Sequence, residues 1–95
     1  NSFLGMVRQW QEFFFEKRYS AVNMKSPDFV KLAEAHGVPA RRVTTHDEVA
    51  EAIEWARKTE GPVVLEFRVE QEEAVYPMVP AGAALHEMIR RPVKG

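Results

Sequence analysis

Apolar residues recur at helical spacing near the start of the chain. Two stripes run side by side, one through Leu4, Val7 and Phe14 and the other through Met6, Trp10 and Phe13. This spacing predicts a helix over about residues 5–17. Because the predicted helix is apolar on more than one side, we expect it to pack between neighbours or to face a pocket. The periodicity lapses over residues 18–25, which predicts a loop.

A second helix is predicted over about residues 27–36. Ser26 is a suitable N-cap, Pro27 fits the first helical position, and Asp28 complements the positive end of the helix. Gly37 supplies the left-handed residue that ends many helices. The stripe of this helix consists of Phe29, Leu32, Ala33 and His36.

Two short runs predict β-strands, over about residues 40–44 and 62–69. In the second run the apolar residues Val63, Leu65, Phe67 and Val69 occupy alternate positions, and the residues between them are of mixed polarity. Between the runs, Thr45 and Glu48 fit a capping box at the start of a third helix, over about residues 46–59. Strands that alternate with helices at these spacings predict an α/β fold with parallel strands and crossover helices.

The last part of the chain combines an acidic stretch, an apolar run and a short predicted helix. The run over residues 76–82 reads Tyr-Pro-Met-Val-Pro-Ala-Gly and belongs to no periodic element. A stiff apolar loop of this kind is typical of a segment that covers another surface. A fourth helix is predicted over about residues 84–91.

Composition narrows the class of protein. The 95 residues carry 13 Lys and Arg against 14 Asp and Glu, with 45% hydrophobic residues and no cysteine. This balance excludes a disordered chain and argues against a nucleic-acid partner. The lack of cysteine excludes disulfides and thiolate metal sites. No window approaches the roughly 18 apolar residues of a membrane span, so we expect a soluble α/β unit without a membrane partner.

The sequence offers no self-contained active site. It has no glycine-rich phosphate loop and no His-Glu-x-x-His motif. His36, His46 and His86 lie far apart, and each is expected to be structural or solvent-exposed. The chain begins with Asn1 and an amphipathic segment, from which we expect a piece of a larger protein. A free-standing, non-catalytic α/β interaction domain stays open as an alternative.

Several segments together resemble one enzyme family. Residues 5–10, Gly-Met-Val-Arg-Gln-Trp, and residues 77–82, Pro-Met-Val-Pro-Ala-Gly, are the most specific of them. With residues 16–20 and 27–37, they resemble the carboxyl-terminal part of acetolactate synthase (acetohydroxyacid synthase) catalytic subunits, and the resemblance spans residues 1–95. It implies the distal part of a thiamine diphosphate-binding domain, with a mobile lid over about residues 5–24 and a capping tail over about residues 77–95.

The resemblance also implies cofactors and site residues. Enzymes of this family use thiamine diphosphate and Mg²⁺ and bind FAD in a largely non-redox role. By resemblance, the side-chain oxygen of Asn1 and the backbone carbonyl of Phe3 would bind the metal, and Gly5 and Met6 would contact the cofactor. The channel that selects the substrate would be lined by Met6, Trp10 and Ala81.

The reaction implied is decarboxylation of pyruvate and condensation with pyruvate or 2-ketobutyrate, in branched-chain amino acid biosynthesis. The family implies a homodimer or tetramer of catalytic subunits with a regulatory small subunit, cytoplasmic in bacteria and plastid or mitochondrial in eukaryotes. The Gly-Asp-Gly half of the cofactor motif is missing from this sequence, so the chain alone is expected to be inactive. Another thiamine diphosphate-dependent decarboxylase or carboligase is the alternative among enzymes.

Overall fold

The computed structural model describes residues 1–93, so the last two residues of the predicted capping tail lie outside the described part. The chain divides into two compact units. The first comprises Asn1–Phe3 and Asn23–Gln71, and the second comprises Leu4–Val22 and the described residues from Glu72 onward. The helices are α1 (Gly5–Phe14), α2 (Phe29–Ala35) and α3 (Val49–Lys58), and the strands are β1 (Ala40–Val43) and β2 (Val64–Phe67).

The first unit is built on a parallel pair of strands. β1 and β2 pair in register from Ala40 with Val64 to Val43 with Phe67, and α3 forms the crossover. The predicted α/β fold with parallel strands is therefore confirmed. Both strands are shorter than predicted. β1 stops before Thr44 because the backbone N–H of Thr44 donates to a carboxylate oxygen of Glu48 (2.8 Å), which takes it out of the sheet.

The start of α2 differs from the prediction. Ser26 is not the N-cap, and the helix begins at Phe29 rather than at residue 27. Asp28 is the cap, because its carboxylate accepts a hydrogen bond from the backbone N–H of Lys31 (3.1 Å). The end of the helix agrees with the prediction, since Gly37 has a positive φ of 72° directly after the last turn.

The capping box before α3 is confirmed. A carboxylate oxygen of Glu48 accepts from the backbone N–H of Thr45 (3.1 Å), and the segment 46–48 forms a short 3₁₀ turn that leads into the helix. The two backbone donors at Thr44 and Thr45 hold the pKa of Glu48 below its ordinary value. The predicted range 46–59 thus divides into a 3₁₀ turn and α3 proper, which ends at Lys58.

A charged network joins α2 to both strands. Arg42 lies opposite Glu66 in the sheet and donates from Nε to its carboxylate (2.6 Å), while Nη2 donates to Asp28 (2.6 Å). Arg68 approaches the other oxygen of Glu66 at 3.3 Å. Hydrogen bonding to Glu66, with the charge of Asp28, raises the pKa of Arg42. The network fixes the first turn of α2 against the sheet.

The core of the first unit consists of small side chains. Ala33, Val43 and Ala52 are its buried apolar residues. No large side chain among residues 1–93 is fully buried. Large apolar side chains on the same elements are exposed instead, among them Phe29, Leu32, Ile53 and Phe67.

In the second unit, α1 ends earlier than predicted. The helix stops at Phe14 because Glu16 and Lys17 adopt positive φ angles of 54° and 58°, which cannot continue a right-handed helix. The predicted helix over residues 84–91 is wrong, and only a 3₁₀ turn, Leu85–Glu87, forms there. Ile89 instead pairs with Met78 in an antiparallel bridge with hydrogen bonds of 2.9 and 2.7 Å, which requires extended backbone.

Within residues 1–93, none of the helices combines the length and the apolar character that crossing a membrane would need.

Truncation of the core valine tests the packing of the first unit. Val43→Ala should lower the free energy of unfolding by about 2 kcal/mol, because Val43 is only 3% exposed and the substitution leaves a cavity. Val69→Ala is the matched control, and at 60% exposure it should change stability by less than about 0.5 kcal/mol. Urea denaturation followed by circular dichroism measures both. Equal losses would show that Val43 is not a core residue.

The N-cap of α2 predicts an acid-dependent stability. The Lys31 N–H, with the charge of Arg42, holds the pKa of Asp28 below its ordinary value. Asp28 therefore stabilises the fold above the unfolded pKa of about 3.9, and this contribution disappears as the pH falls through the lowered folded pKa. The stability difference between the wild type and Asp28→Asn should shrink between about pH 5 and pH 2.

Asp47→Asn is the control for this measurement, since the Asp47 side chain is exposed and makes no ion pair or side-chain hydrogen bond within residues 1–93. Its stability difference from the wild type should vary less with pH. A constant difference for Asp28→Asn over the whole range would contradict the assignment of the cap.

Candidate functional site

Helix α1 buries two of its polar residues and exposes most of its apolar ones. Arg8 and Gln9 are 2% and 3% exposed, whereas Met6 and Trp10 are each 52% exposed. This is the reverse of an ordinary amphipathic surface helix, which turns its apolar stripe to the core. The expectation that the helix packs between neighbours on its apolar sides is not met within this unit.

Contacts inside the second unit account for the reversal. The Arg8 guanidinium lies 3.7 Å from a carboxylate oxygen of Glu72 and 5.5 Å from the ring centroid of Tyr19. The Gln9 amide bonds to the backbone of Val75. Both polar side chains thus face the chain segments that follow them, and the opposite side of the helix remains available to other molecules or domains.

The exposed stripe of α1 contains two of the predicted channel residues. Met6 and Trp10 are four residues apart and therefore lie on one face of the helix, one turn apart. Gly5 is the first residue of the helix and is exposed. The stripe continues along the helix to Val7 and Phe14, which are also exposed.

The third predicted channel residue, Ala81, lies at the tip of a turn. The N–H of Ala83 donates to the carbonyl of Pro80 (3.0 Å), which closes a four-residue turn around Ala81. Gly82 has a φ of 82°, the positive value that the third position of a type II turn requires. The Met78–Ile89 bridge forms the base of the longer loop that carries this turn.

The predicted metal ligands lie together in the first unit. The side-chain oxygen of Asn1 accepts a hydrogen bond from the backbone N–H of Phe3 (3.2 Å), and Ser2 between them has a φ of 62°. The carbonyl of Ser2 accepts from the N–H of Met24 (2.8 Å), which holds this turn in place. A cleft of about 170 Å³ adjoins it, lined by Asn1, Ser2, Ser26, Pro27, Phe29, Glu66, Phe67 and Arg68.

The chemistry of these donors fits a hard cation. An amide oxygen has two lone pairs, so Asn1 can accept from Phe3 and still bind a metal. Mg²⁺ prefers oxygen ligands and commonly takes few from the protein, with water and phosphate oxygens completing its shell. Residues 1–93 contain no cluster of three or more His, Cys, Asp or Glu side chains arranged for a metal. As two oxygen ligands, Asn1 and Phe3 would supply only part of the coordination shell of such a cation.

The predicted site residues fall into two groups, one in each unit. Asn1 and Phe3 belong to the first unit, and Gly5, Met6, Trp10 and Ala81 belong to the second. Gln9 was not among the predicted site residues, and its amide bonds to Val75, which is 66 residues away in the chain. Its only signal in the sequence is a pair of polar residues between the apolar Val7 and Trp10.

Curated relatives of this chain carry one enzyme name. The chain is 51% identical over 85 residues to the mitochondrial acetolactate synthase of Schizosaccharomyces pombe, which covers 90% of the chain and 13% of that protein. It is 40% identical over 92 residues to the acetolactate synthase isozyme 2 large subunit of Escherichia coli, or 96% of the chain and 17% of that protein. It is 47% identical over 90 residues to the acetolactate synthase large subunit of Corynebacterium glutamicum, which covers 88% of the chain and 14% of that protein.

The chain thus spans less than a fifth of the length of these relatives. A family match covers the part of the chain that holds Asn1, α1 and both strands. It runs over residues 1–67 and is described as the thiamine pyrophosphate enzyme, C-terminal TPP binding domain. The α/β unit with its parallel strands agrees with this domain. The chain therefore belongs to the family of C-terminal TPP-binding domains of thiamine pyrophosphate enzymes.

Proposed function

We propose that this chain is the distal part of the thiamine diphosphate-binding domain of an acetolactate synthase catalytic subunit. The intact enzyme would decarboxylate pyruvate and condense the two-carbon unit with pyruvate or 2-ketobutyrate, in the synthesis of branched-chain amino acids. The structural observation that carries this proposal is the exposed Met6–Trp10 pair on a helix that buries Arg8 and Gln9 instead. Identities of 40–51% to proteins named acetolactate synthase support it.

Asn1 and Phe3 are the residues of this chain that we assign to the metal. The side-chain oxygen of Asn1 and the carbonyl of Phe3 would hold Mg²⁺, whose remaining positions suit diphosphate oxygens. Gly5 and Met6, at the start of α1, would contact the cofactor. Thiamine diphosphate, when bound, supplies the nucleophilic carbon and the electron sink for decarboxylation. FAD would bind mostly to parts of the enzyme outside this chain.

Met6, Trp10 and Ala81 are proposed to form walls of the substrate channel. Trp10 offers a large apolar surface that distinguishes 2-ketobutyrate from pyruvate by its extra methylene group. One methylene in an apolar contact is worth about 1–3 kcal/mol of discrimination. The half-exposed indole of Trp10 has the area for such a contact because the rest of its unit leaves it uncovered.

The segments around these residues would act as covers of the active site. We assign a mobile lid to residues 5–24 and a capping tail to residues 77–95, of which the last two lie outside the described residues. Closure of such segments excludes water and protects reactive carbanion-like species from protonation. Both segments present exposed apolar residues, which include Met6, Trp10 and Val79.

The assembly and location follow from the same proposal. The catalytic subunit would form a homodimer or tetramer and bind a regulatory small subunit. It would be cytoplasmic in a bacterium and lie in a plastid or mitochondrion in a eukaryote. Because the chain spans less than a fifth of its relatives, it is expected to be inactive by itself.

Two alternative functions differ from this proposal in the sequence similarity or the cofactor binding that they predict. Another thiamine diphosphate-dependent decarboxylase or carboligase would share the family match over residues 1–67. The similarity to acetolactate synthases covers 85 residues or more, so it reaches beyond that match into the tail. A free-standing interaction domain would bind no cofactor at all. The extent of the similarity therefore favours acetolactate synthase.

The proposed activity has a direct test in the full-length subunit. With pyruvate, thiamine diphosphate and Mg²⁺ it should form acetolactate, measured by colour formation after conversion to acetoin. Removal of the metal with a chelator should abolish the product, and added Mg²⁺ should restore it. Release of a free aldehyde without acetolactate would support a different decarboxylase. Failure to bind the cofactor would support the interaction domain.

The role of Trp10 has a test of its own. In the full-length enzyme, Trp10→Leu should lower the preference for 2-ketobutyrate over pyruvate by about tenfold, because the apolar wall loses area. Phe14→Leu is the matched control, since it truncates an exposed aromatic residue one turn further along the same stripe. The measurement is the ratio of the two products when both acceptors compete. An unchanged ratio for Trp10→Leu, or equal changes in both variants, would exclude Trp10 as the selector.

A further inference from the structure

Gln9 is a buried polar residue in a helix that exposes its apolar side. With Arg8, it is one of two polar or charged residues that are buried among the described residues, and it is 3% exposed. A buried amide without hydrogen bonds is costly, so its partners determine whether the position is stable. The proposed channel does not use Gln9, whose side chain points away from the exposed stripe.

The Gln9 amide binds both backbone groups of one residue. The N–H of Val75 donates to Oε1 (2.6 Å), and Nε2 donates to the carbonyl of Val75 (3.3 Å) and to the Met78 sulfur (3.3 Å). A carboxamide offers the same donor and acceptor as a peptide group. Gln9 therefore pairs with Val75 as a residue of a neighbouring β-strand would, which fixes both the position and the direction of the chain there.

Neighbouring contacts continue this register along the tail. The ring of Phe13, one turn after Gln9, lies 5.4 Å from the ring of Tyr76, centroid to centroid. The Arg91 guanidinium lies 5.3 Å from the same Tyr76 ring. Met78, which accepts from Gln9, also forms the base of the loop that carries Ala81. The residues that follow Val75 are thus aligned on α1 as far as Met78, where the loop that carries Ala81 begins.

A second glutamine on α1 makes the same kind of contact with a different segment. Gln11 donates from Nε2 to the carbonyl of Ser20 (3.0 Å) and accepts from the N–H of Ser20 (3.3 Å). This contact closes a loop of nine residues, whereas that of Gln9 spans 66 residues. The two glutamines share one chemistry and one helix, but each holds a different segment, and the contacts of Gln9 are the more buried.

We propose that Gln9 is a positioning residue that sets the register of the carboxyl-terminal segment on α1, so that the Ala81 turn and the Met6–Trp10 face move as one body. This inference rests on the proposed function in that it assigns the shared body to the substrate channel. The lid and the capping tail are then a single closing element, and acceptor choice depends on Gln9 although Gln9 does not touch the substrate.

The test uses the full-length subunit with thiamine diphosphate and Mg²⁺. Gln9→Met keeps the length of the side chain and removes its hydrogen bonds, and Gln11→Met does the same for the control. Hydrogen exchange measured by mass spectrometry should quicken at least about tenfold in peptides over residues 74–80 for Gln9→Met, as the loss of its hydrogen bonds to Val75 and Met78 implies. Gln11→Met should quicken exchange over residues 17–22 and leave 74–80 unchanged.

A kinetic measurement separates positioning from general destabilisation. Gln9→Met should lower the proportion of product formed from 2-ketobutyrate several-fold, which is a larger effect than its effect on kcat with pyruvate alone. Gln9→Glu should fall between Gln9→Met and the wild type, because its carboxylate still accepts from Val75 but cannot donate to it. If Gln9→Met does not fold, the Gln9→Glu variant carries the same comparison with Gln11→Met.

The outcomes separate the two proposals. Unchanged exchange over residues 74–80, or the same change in the Gln9 and Gln11 variants, would overturn the role of Gln9. Faster exchange in the tail with an unchanged product ratio would also overturn it, because the tail would then not shape the channel. If the wild-type subunit forms no acetolactate, the proposed function fails, whereas the exchange experiment still decides whether Gln9 holds the tail.

Discussion

The need to satisfy buried polar groups determines the orientation of α1. Arg8 and Gln9 lie next to each other and can be buried only where a carboxylate, an aromatic ring and a free stretch of backbone are at hand. The segments around Tyr19 and residues 72–78 provide these partners. Once the polar pair faces inward, helical geometry turns Met6 and Trp10 outward. The exposed apolar stripe is thus a consequence of polar contacts on the opposite side.

The first unit depends on charges in a comparable way. Its core contains small side chains, so apolar burial is modest. The Arg42 network joins β1, β2 and the cap of α2. These ionic hydrogen bonds fix the positions of the three elements, which the small apolar core alone constrains only weakly. In both units, polar groups set the geometry and leave large apolar side chains at the surface. Such surfaces suit a domain that packs against further parts of a long polypeptide, which agrees with the fraction of its relatives that this chain spans.

Local signals in the sequence predicted much of the fold. The parallel strands, the Gly37 stop and the Thr45–Glu48 capping box each depend on a few adjacent residues, and all were correct. The choice of Ser26 over Asp28 as cap failed because Arg42, 14 residues further on, stabilises the Asp28 carboxylate. The prediction of a helix over residues 84–91 was wrong, and the buried side of α1 was not predicted, for a similar reason. The bridge of Ile89 with Met78 and the hydrogen bonds of Gln9 with Val75 determine these two features. No local sequence pattern predicts those partners.

The bridge between Met78 and Ile89 separates the loop that carries Ala81 from the backbone that anchors it. Closure entropy rises slowly with loop length, by about 0.6 kcal/mol for each doubling. Insertions or deletions between the two bridge residues therefore leave the anchor nearly unaffected, while they change how far the turn extends. Evolution can thus vary the reach of this loop without changing the hydrogen bonds that anchor it.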